Sequence, residues 1–146
     1  MKISVYGAGY VGLVQASGLA HLGHDVVCAE LSANRLAALA QGKTPFYEPG
    51  IDELLAKGIA DGRLRFTSDP AVAASHGDVQ FLAVGTPPMS DGSSDLSYLL
   101  TAADTIAQHA PADSLIVTKS TVPVGTGKKL ARSEEHTSEL QSRGLI

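Results

Sequence analysis

The sequence predicts an α/β fold in which helices cover both faces of a parallel β-sheet. Two observations support this prediction. Short apolar runs of strand length alternate with stretches of helical periodicity along the chain, and the first run leads straight into G-A-G-Y-V-G at Gly7–Gly12. Because alternating strands and helices are joined by right-handed crossovers between parallel strands, the pattern indicates a doubly wound sheet.

The first half of the chain is predicted to form two strands and three helices. In order they are a strand at Met1–Tyr6, a helix at Tyr10–Leu22, a strand at Asp25–Glu30, a helix capped by Ser32 and running through Ala40, and a short helix at Ile51–Lys57. Gly23 and Gly42 suit the backbone conformation that ends many helices, and Ser32 suits an N-cap. A turn-rich connection at Thr44–Gly50 precedes the third helix.

The second half is predicted to form three strands and two helices. In order they are a strand at Arg63–Thr67, a short helix from Pro70, a strand at Val79–Val84, a helix at Leu96–His109 and a strand at Ser114–Lys119. Proline is acceptable in the first turn of a helix, and a largely apolar strand such as Val79–Val84 is typical of burial on both faces. The sheet is expected to be truncated before its last strand.

Each glycine of the G-A-G-Y-V-G pattern has a separate physical role. Gly7 permits a sharp turn, Gly9 lets the backbone approach a diphosphate, and Gly12 lets the following helix pack closely. The free N–H groups and the positive end of the helix dipole favour the diphosphate of a dinucleotide. The glycine pattern alone is weak evidence, but a strand precedes it and a helix follows it, as a Rossmann-like dinucleotide-binding fold requires.

A carboxylate follows the second predicted strand, about 20 residues after the glycine turn, as the dinucleotide-binding pattern expects. Glu30 can accept hydrogen bonds from the hydroxyls of an adenine ribose and would repel a 2′-phosphate, which favours NAD over NADP. Arg35 leaves NADP as an alternative, since its guanidinium could hold that phosphate. A solvated acid at a strand end is the simpler interpretation of Glu30 taken alone.

Two further strand ends are expected to contribute to a ligand site, because ligands bind beyond the carboxyl ends of the strands in such sheets. Gly85 and Thr86, within G-T-P-P, offer close backbone approach and a hydroxyl. Thr121 follows the last predicted strand within K-S-T-V-P-V-G. Turn chemistry for Thr86 and an N-cap-like role for Thr121 are the alternatives.

The composition excludes several classes of function. The 146 residues carry a formal net charge of −4, with 44% hydrophobic and 18% charged residues, so neither nucleic acid nor a membrane is an expected partner. No apolar stretch is long enough to span a bilayer and no secretory signal precedes the first strand, so we expect a cytoplasmic protein. The single cysteine, Cys28, is expected to be a small buried hydrophobe, and the His21–His24 spacing lacks a third metal ligand.

The C-terminal segment does not continue the pattern before it. Arg132–Ser142 reads R-S-E-E-H-T-S-E-L-Q-S, which resembles the translation of a common sequencing-library adapter. A helix that begins near Gly125 loses its apolar spacing directly after Ala131. We therefore expect an incomplete dinucleotide-binding domain at residues 1–131 and an artefactual tail at residues 132–146, with a genuine polar helix end as the alternative.

Several longer motifs occur in a fixed order along the chain. They are G-A-G-Y-V-G, Y-E-P-G, G-T-P-P, D-L-S-Y and K-S-T-V-P-V-G-T-G. Together they resemble the UDP-glucose 6-dehydrogenase family, within the UDP-glucose/GDP-mannose dehydrogenase superfamily, and the resemblance runs from Met1 to about Ala131. It corresponds to only the N-terminal, NAD-binding domain of that family.

The resemblance implies a role for each residue that matches the family's motifs. Thr86 would touch NAD in the middle of the cleft, and Thr121 would lie near the nicotinamide and help to hold the reacting water or substrate oxygen. Glu30 stands where the family more often has Asp, and Arg35 where it often has Lys. The NAD-binding residues implied in this way are Gly7, Gly9, Tyr10, Val11, Gly12, Glu30, Arg35, Gly85, Thr86 and Thr121.

The family oxidises the C6 alcohol of UDP-glucose to UDP-glucuronate in two steps with two NAD, through a thioester on a cysteine. That cysteine and the sugar-nucleotide pocket belong to the family's later domains, so the resemblance implies that this chain alone is inactive and that the full-length protein is a homodimer. A GDP-mannose or UDP-acetamido-sugar 6-dehydrogenase is the alternative within the superfamily. A non-catalytic NAD-binding or sensing module is the alternative of another class.

Overall fold

A computed structural model describes residues 1–132, so the predicted tail beyond Arg132 lies outside the described residues. The strands are β1 (Lys2–Tyr6), β2 (Asp25–Ala29), β3 (Leu64–Thr67), β4 (Val79–Leu82) and β5 (Leu115–Thr118). The helices are α1 (Tyr10–His21), α2 (Ala33–Ala40), α3 (Ile51–Ala60), α4 (Pro70–His76) and α5 (Ser97–His109), and residues 126–132 are also helical. Of the helices in the described part of the chain, none is long and apolar enough to cross a membrane.

The strands form one parallel sheet in the order β3-β2-β1-β4-β5. β1 lies at the centre, where Ile3 is opposite Val26 of β2 on one side and Val79 of β4 on the other. The strand order reverses at β1, and ligands bind at such a switch point in doubly wound sheets. The predicted Rossmann-like fold is confirmed, and within residues 1–132 the sheet has no sixth strand.

Alternate residues of the central strands pack into two cores, one on each face of the sheet. On the first face, Val5 of β1 belongs to one buried cluster with Leu13 of α1 and Leu55 of α3. On the second face, Tyr6 of β1 belongs to a cluster with Leu99 of α5. Because apolar burial on both faces is the main favourable term in folding, β1 is held from both sides and gives the residues after it a rigid base.

A buried polar network crosses the second core. Tyr6 Oη donates to Gln80 Oε1 at 2.8 Å, and the Gln80 amide donates to the carbonyls of Ala74 and Gly77 at 2.9 and 2.7 Å. Burial raises the pKa of Tyr6, so its phenol remains a donor. These bonds satisfy the polar atoms that the core would otherwise leave unpaired, and they tie β1 and β4 to the end of α4.

The structure corrects the predicted end of α3, which continues from Lys57 to Ala60. Gly58 does not stop the helix, because it lies where the helix approaches β3 closely. A Cβ atom at Gly58 would lie 3.1 Å from Cβ of Leu64. A side chain there would press on Leu64, so the glycine suits the close packing of α3 on β3.

The structure also corrects the end of β4, which lies at Leu82 and not at Val84. The backbone N–H groups of Lys119 and Ser120 both donate to the Leu82 carbonyl, at 2.7 and 3.0 Å. β5 therefore turns away from β4 at this point, and the two residues after Leu82, Ala83 and Val84, are not part of the strand. The other predicted element ends agree with the structure to within one residue.

Candidate functional site

A cleft of about 820 Å³ opens beyond the carboxyl ends of the central strands. Its volume is in the range of cofactor sites. Of the predicted site residues, Gly12 alone does not line the cleft, because it is buried under the glycine turn. The predicted residues that the structure brings together around the cleft are Gly7, Gly9, Tyr10, Val11, Glu30, Arg35, Gly85, Thr86 and Thr121.

The glycine turn has the geometry that the sequence predicts. Gly7 has φ +94°, and a Cβ atom there would lie 2.7 Å from the Ala83 carbonyl oxygen. A Cβ atom at Gly12 would overlap the Gly7 carbonyl oxygen, so only glycine lets α1 pack this closely on the turn. At Gly9 a Cβ atom would have no protein atom within 4 Å, because the space in front of it belongs to the cleft.

The N-terminus of α1 lies at the same turn and suits an anion. Gly9 caps the helix without a side-chain hydrogen bond, and the first turn contains no acidic residue. The first N–H groups of a helix have no partner within the helix and carry its positive dipole end. Open space at Gly9 together with these donors fits the diphosphate of a dinucleotide.

Glu30 follows β2 and is buried, with 6% of its surface exposed. Its Oε2 accepts from the Ala8 N–H at 2.9 Å, and its Oε1 accepts from the Ser32 N–H at 2.8 Å. Burial alone would raise the pKa of Glu30, but hydrogen bonds from Ser32, Arg35 and Ala8 outweigh burial and lower the pKa. The interpretation of Glu30 as a solvated acid is therefore wrong, because the carboxylate holds the glycine turn.

Arg35 is paired with this carboxylate. Its Nη1 donates to Glu30 Oε2 at 2.8 Å, and its backbone N–H donates to Oγ of Ser32, the predicted N-cap of α2. Oε2 of Glu30 thus receives two protein donors, whereas Oε1 receives one and can accept another. One acceptor site remains for a ribose hydroxyl while Arg35 stays in place.

The loops after β4 and β5 meet at the other end of the cleft. Thr86 Oγ1 donates to the Thr121 carbonyl at 2.9 Å, and Ser120 Oγ donates to the Val84 carbonyl at 2.7 Å. The helical residues 126–132 begin five positions after Thr121, so an N-cap-like role for Thr121 is wrong. The hydroxyl of Thr86 joins the two loops, which brings both predicted threonines to one wall of the cleft.

The structure adds a cleft wall that the sequence analysis did not assign. It consists of one face of α5, where the Thr101 hydroxyl donates to the Ser97 carbonyl and the Thr105 hydroxyl to the Thr101 carbonyl. The spacing of four residues between these side chains places them on one helix face. This spacing could have been recognised in the sequence. The lining residues of α5 are Ser97, Tyr98, Thr101, Ala102 and Thr105.

Cys28 does not line the cleft and takes no part in its chemistry. The residue is fully buried on β2, and burial, followed by the charge of Glu30, raises the pKa of its thiol. A thiol that cannot ionise is a poor nucleophile, and its prediction as a buried hydrophobe is confirmed. Within residues 1–132, no three His, Cys, Asp or Glu side chains cluster as a metal site would require.

Comparison with known sequences finds relatives along almost the whole chain. UDP-glucose 6-dehydrogenase of Rhizobium meliloti is 48% identical over 139 residues, which are 94% of this chain and 32% of the relative. GDP-mannose 6-dehydrogenase of Pseudomonas putida is 40% identical over 138 residues, which are 89% of this chain and 30% of the relative. The chain therefore spans about a third of the length of these relatives.

Comparison with solved structures finds the same classes of enzyme. A UDP-glucose dehydrogenase from Pyrobaculum islandicum superposes with a TM-score of 0.86 at 41% identity, over 94% of this chain and 33% of that one. A GDP-mannose dehydrogenase from Pseudomonas aeruginosa gives 0.87 at 37% identity, over 95% and 33%. A UDP-D-ManNAc dehydrogenase from Pyrococcus horikoshii gives 0.89 at 34% identity, over 96% and 33%.

The family comparison covers nearly the entire chain. The sequence profile of the NAD-binding domain of UDP-glucose/GDP-mannose dehydrogenases matches residues 1–143. The glycine turn, the open N-terminus of α1 and the carboxylate after β2 fit the cofactor of that domain. The chain therefore belongs to the UDP-glucose/GDP-mannose dehydrogenase family and carries its NAD-binding domain.

Proposed function

We propose that the chain supplies the NAD-binding domain of a UDP-glucose 6-dehydrogenase. The observation that carries the proposal is a single cleft with two chemically different ends. One end holds the glycine turn and the buried carboxylate of Glu30, and the other holds Thr86 and Thr121. A dinucleotide that spans the cleft would have its adenosine at the first end and its nicotinamide at the second.

Each part of the cleft has a separate task in this proposal. The free acceptor of Glu30 Oε1 binds a ribose hydroxyl, and the first N–H groups of α1, beside Gly9, bind the diphosphate. Gly85 and Thr86 contact the middle of the cofactor, and Thr121 holds a water or substrate oxygen beside the reacting carbon. When bound, NAD supplies the acceptor for a hydride from the alcohol.

UDP-glucose is favoured as the substrate by sequence identity. The UDP-glucose enzyme is 48% identical to the chain and the GDP-mannose enzyme 40%. Among the solved structures, identity falls from 41% for the UDP-glucose enzyme to 37% and 34% for the GDP-mannose and UDP-D-ManNAc enzymes. The TM-scores of 0.86, 0.87 and 0.89 do not separate the three, so a GDP-mannose or UDP-acetamido-sugar substrate is the second candidate.

The complete oxidation of an alcohol to an acid through a thioester requires an ionisable cysteine beside the substrate. Cys28 is the only cysteine of the sequence, and it is fully buried in the sheet. We therefore propose that the chain binds NAD but does not oxidise the sugar by itself. NADH formation from UDP-glucose by the purified chain would contradict this part of the proposal.

Calorimetric titration of the 146-residue chain with NAD tests the cofactor site. The matched variant is Gly9→Ala, since a Cβ atom there meets no protein atom within 4 Å and φ is −73°. We expect this variant to unfold like the unmodified chain, but to bind NAD about tenfold or more weakly, because the methyl group enters the diphosphate space. Equal binding by both proteins would contradict the assignment of the glycine turn.

The substrate is tested with the protein encoded by the complete gene. We expect about two NADH per UDP-glucose and little NADH from GDP-mannose or UDP-N-acetylmannosamine. Preference for either of the latter would establish the second candidate. Light scattering of the same protein tests the homodimer that the family resemblance implies. Cell fractionation tests the cytoplasmic location that the sequence predicts.

A further inference from the structure

The connection between α2 and α3 folds back onto the first residue of α1. Tyr10 Oη donates a hydrogen bond of 2.8 Å to Oε2 of Glu48. The ring of Tyr10 also lies against that of Phe46, with centroids 5.0 Å apart and an angle of 51° between the planes. Residues 44–50, which we refer to as the strap, therefore hold both the hydroxyl and the ring of Tyr10.

The strap is itself anchored, so Glu48 is not carried on a free loop. Thr44 Oγ1 lies 2.8 Å from the Phe46 carbonyl and 2.6 Å from Oδ1 of Asp52 in α3. The backbone N–H of Ile51 donates to the Glu48 carbonyl at 3.2 Å, and Phe46 packs against the first core. These contacts fix the Glu48 backbone on both sides.

Tyr10 occupies a position that matters for the cofactor. It directly follows Gly9 and begins α1, whose uncapped N-terminus lies at the cleft, and it lines the cleft itself. On the other side of Gly9, the Ala8 N–H is held by Glu30. Gly9 has no side chain by which the protein could hold it. Its two neighbours are held by carboxylates instead, since Glu30 accepts from the Ala8 N–H and Glu48 accepts from the Tyr10 hydroxyl.

We propose that Glu48 is a positioning residue for the dinucleotide and acts through the hydroxyl of Tyr10. By holding Tyr10, it keeps the first turn of α1 in the arrangement that receives a diphosphate, which lowers the cost of ordering this turn on binding. This role rests on the proposed function of the cleft. It gives a task to the strap, which the sequence predicted only as a turn-rich connection.

The test is calorimetric titration of the 146-residue chain and its variants Tyr10→Phe, Glu48→Ala and the double variant with NAD, ADP-ribose and adenosine. Because each single variant removes one hydrogen bond that is exposed to solvent, we expect NAD and ADP-ribose to bind about twofold to threefold more weakly. The double variant should bind no more weakly than the single variants, since all three lack the same bond. Adenosine has no diphosphate, so its binding should not change.

Two variants serve as matched controls. Tyr47→Phe removes an exposed hydroxyl from the same strap, and Glu53→Gln removes an exposed charge from α3. Both should bind NAD like the unmodified chain. Glu48→Gln keeps an acceptor for the Tyr10 hydroxyl and should restore most of the affinity that Glu48→Ala loses.

Absorbance titration of the tyrosines gives a second, independent measurement. The hydrogen bond to Glu48 and then its charge raise the pKa of Tyr10, because the phenolate would lose the bond and be repelled. Glu48→Ala should therefore lower the pKa of one tyrosine, and Tyr10→Phe should remove that transition. An unchanged titration in Glu48→Ala would show that the bond does not form in solution and would overturn the inference.

Two binding results would also overturn it. One is wild-type affinity for NAD in both Tyr10→Phe and Glu48→Ala. The other is an equal loss of NAD and adenosine binding, since the strap would then only maintain the fold. Failure of the unmodified chain to bind NAD is a different result, which would contradict the cofactor site as a whole.

Discussion

The two ends of the cleft are built from different kinds of contact. At the Glu30 end, a buried carboxylate receives three protein donors, and β1 and β2 beneath it are buried in all but their first residues. At the Thr86 end, a hydrogen bond exposed to solvent joins two loops, and no residue of β5 is fully buried. Leu115 of that strand has 61% of its surface exposed.

This difference predicts that the two ends contribute unequally to the stability of the chain. A buried hydrogen bond cannot be replaced by water, so the loss of one partner costs the full desolvation of the other. An exposed bond competes with water and contributes little. We therefore infer that, within residues 1–132, the Glu30 end is held more firmly than the Thr86 end.

Gly12→Ala is expected to have the largest effect, because the new Cβ atom would overlap the Gly7 carbonyl and force α1 away from the turn. We expect a loss of about 3 kcal/mol or more in the free energy of unfolding, measured by urea denaturation. Gly18→Ala is the control in the same helix, since its Cβ atom meets nothing within 4 Å. It should stabilise the chain by about 0.5–1 kcal/mol. Equal stability of the two variants would contradict the tight contact.

Glu30→Gln is expected to have an intermediate effect of about 2 kcal/mol at pH 7, because hydrogen bonds to a buried charge are lost. The folded-state pKa of Glu30 is lowered, so its contribution is complete above the unfolded-state value of about 4.3 and is lost as the pH falls through the folded-state pKa. The difference in the free energy of unfolding between the unmodified chain and Glu30→Gln should thus be constant from pH 7 to about 5 and become smaller below about pH 4.

The matched control for this pH series is Glu53→Gln, which changes an exposed glutamate and should alter the stability by less than about 0.5 kcal/mol. Urea denaturation of the unmodified chain and of both variants at each pH gives three curves of stability against pH. If the difference in stability between Glu30→Gln and the unmodified chain grew as the pH fell, the pKa of Glu30 would be raised in the folded state, which would contradict the prediction.

Thr86→Val is expected to have the smallest effect. It removes the bond to the Thr121 carbonyl, but this bond is exposed to solvent, so water can replace the lost donor. We expect a loss of about 0.5 kcal/mol, and none in Thr86→Ser, which keeps a hydroxyl. Thermal unfolding followed by circular dichroism gives the comparison. A loss as large as that of Glu30→Gln would show that the two ends do not differ.

The same contrast explains how much of the site the sequence could predict. The glycine turn and Glu30 were predictable because their roles depend on a short segment and on a strand that ends at a known distance from it. The bond between Tyr10 and Glu48 and the network between Tyr6 and Gln80 join residues 38 and 74 positions apart, and no local pattern marks such partners.

The element ends show the same limit. The sequence predicted that α3 ends at Lys57, but Gly58, which packs against Leu64, lies within the helix. Ser32 was predictable as an N-cap because a capping side chain acts on its own helix, where it accepts from the Arg35 N–H. The sequence thus predicted a helix end correctly where a residue within one turn of it sets that end. The prediction failed where packing against a strand distant in the sequence sets the end.

The position of Cys28 gives the chain a built-in reporter. This residue is the only cysteine in the sequence, it is fully buried on β2, and its Sγ lies 4.0 Å from the Gly7 carbonyl oxygen. An alkylating reagent can reach the thiol only when β2 and the turn above it separate, so the labelling rate measures how often this part of the protein opens. A dinucleotide that binds the closed form should slow the labelling in proportion to its occupancy, which would allow affinity to be read in crude extracts without any engineered probe.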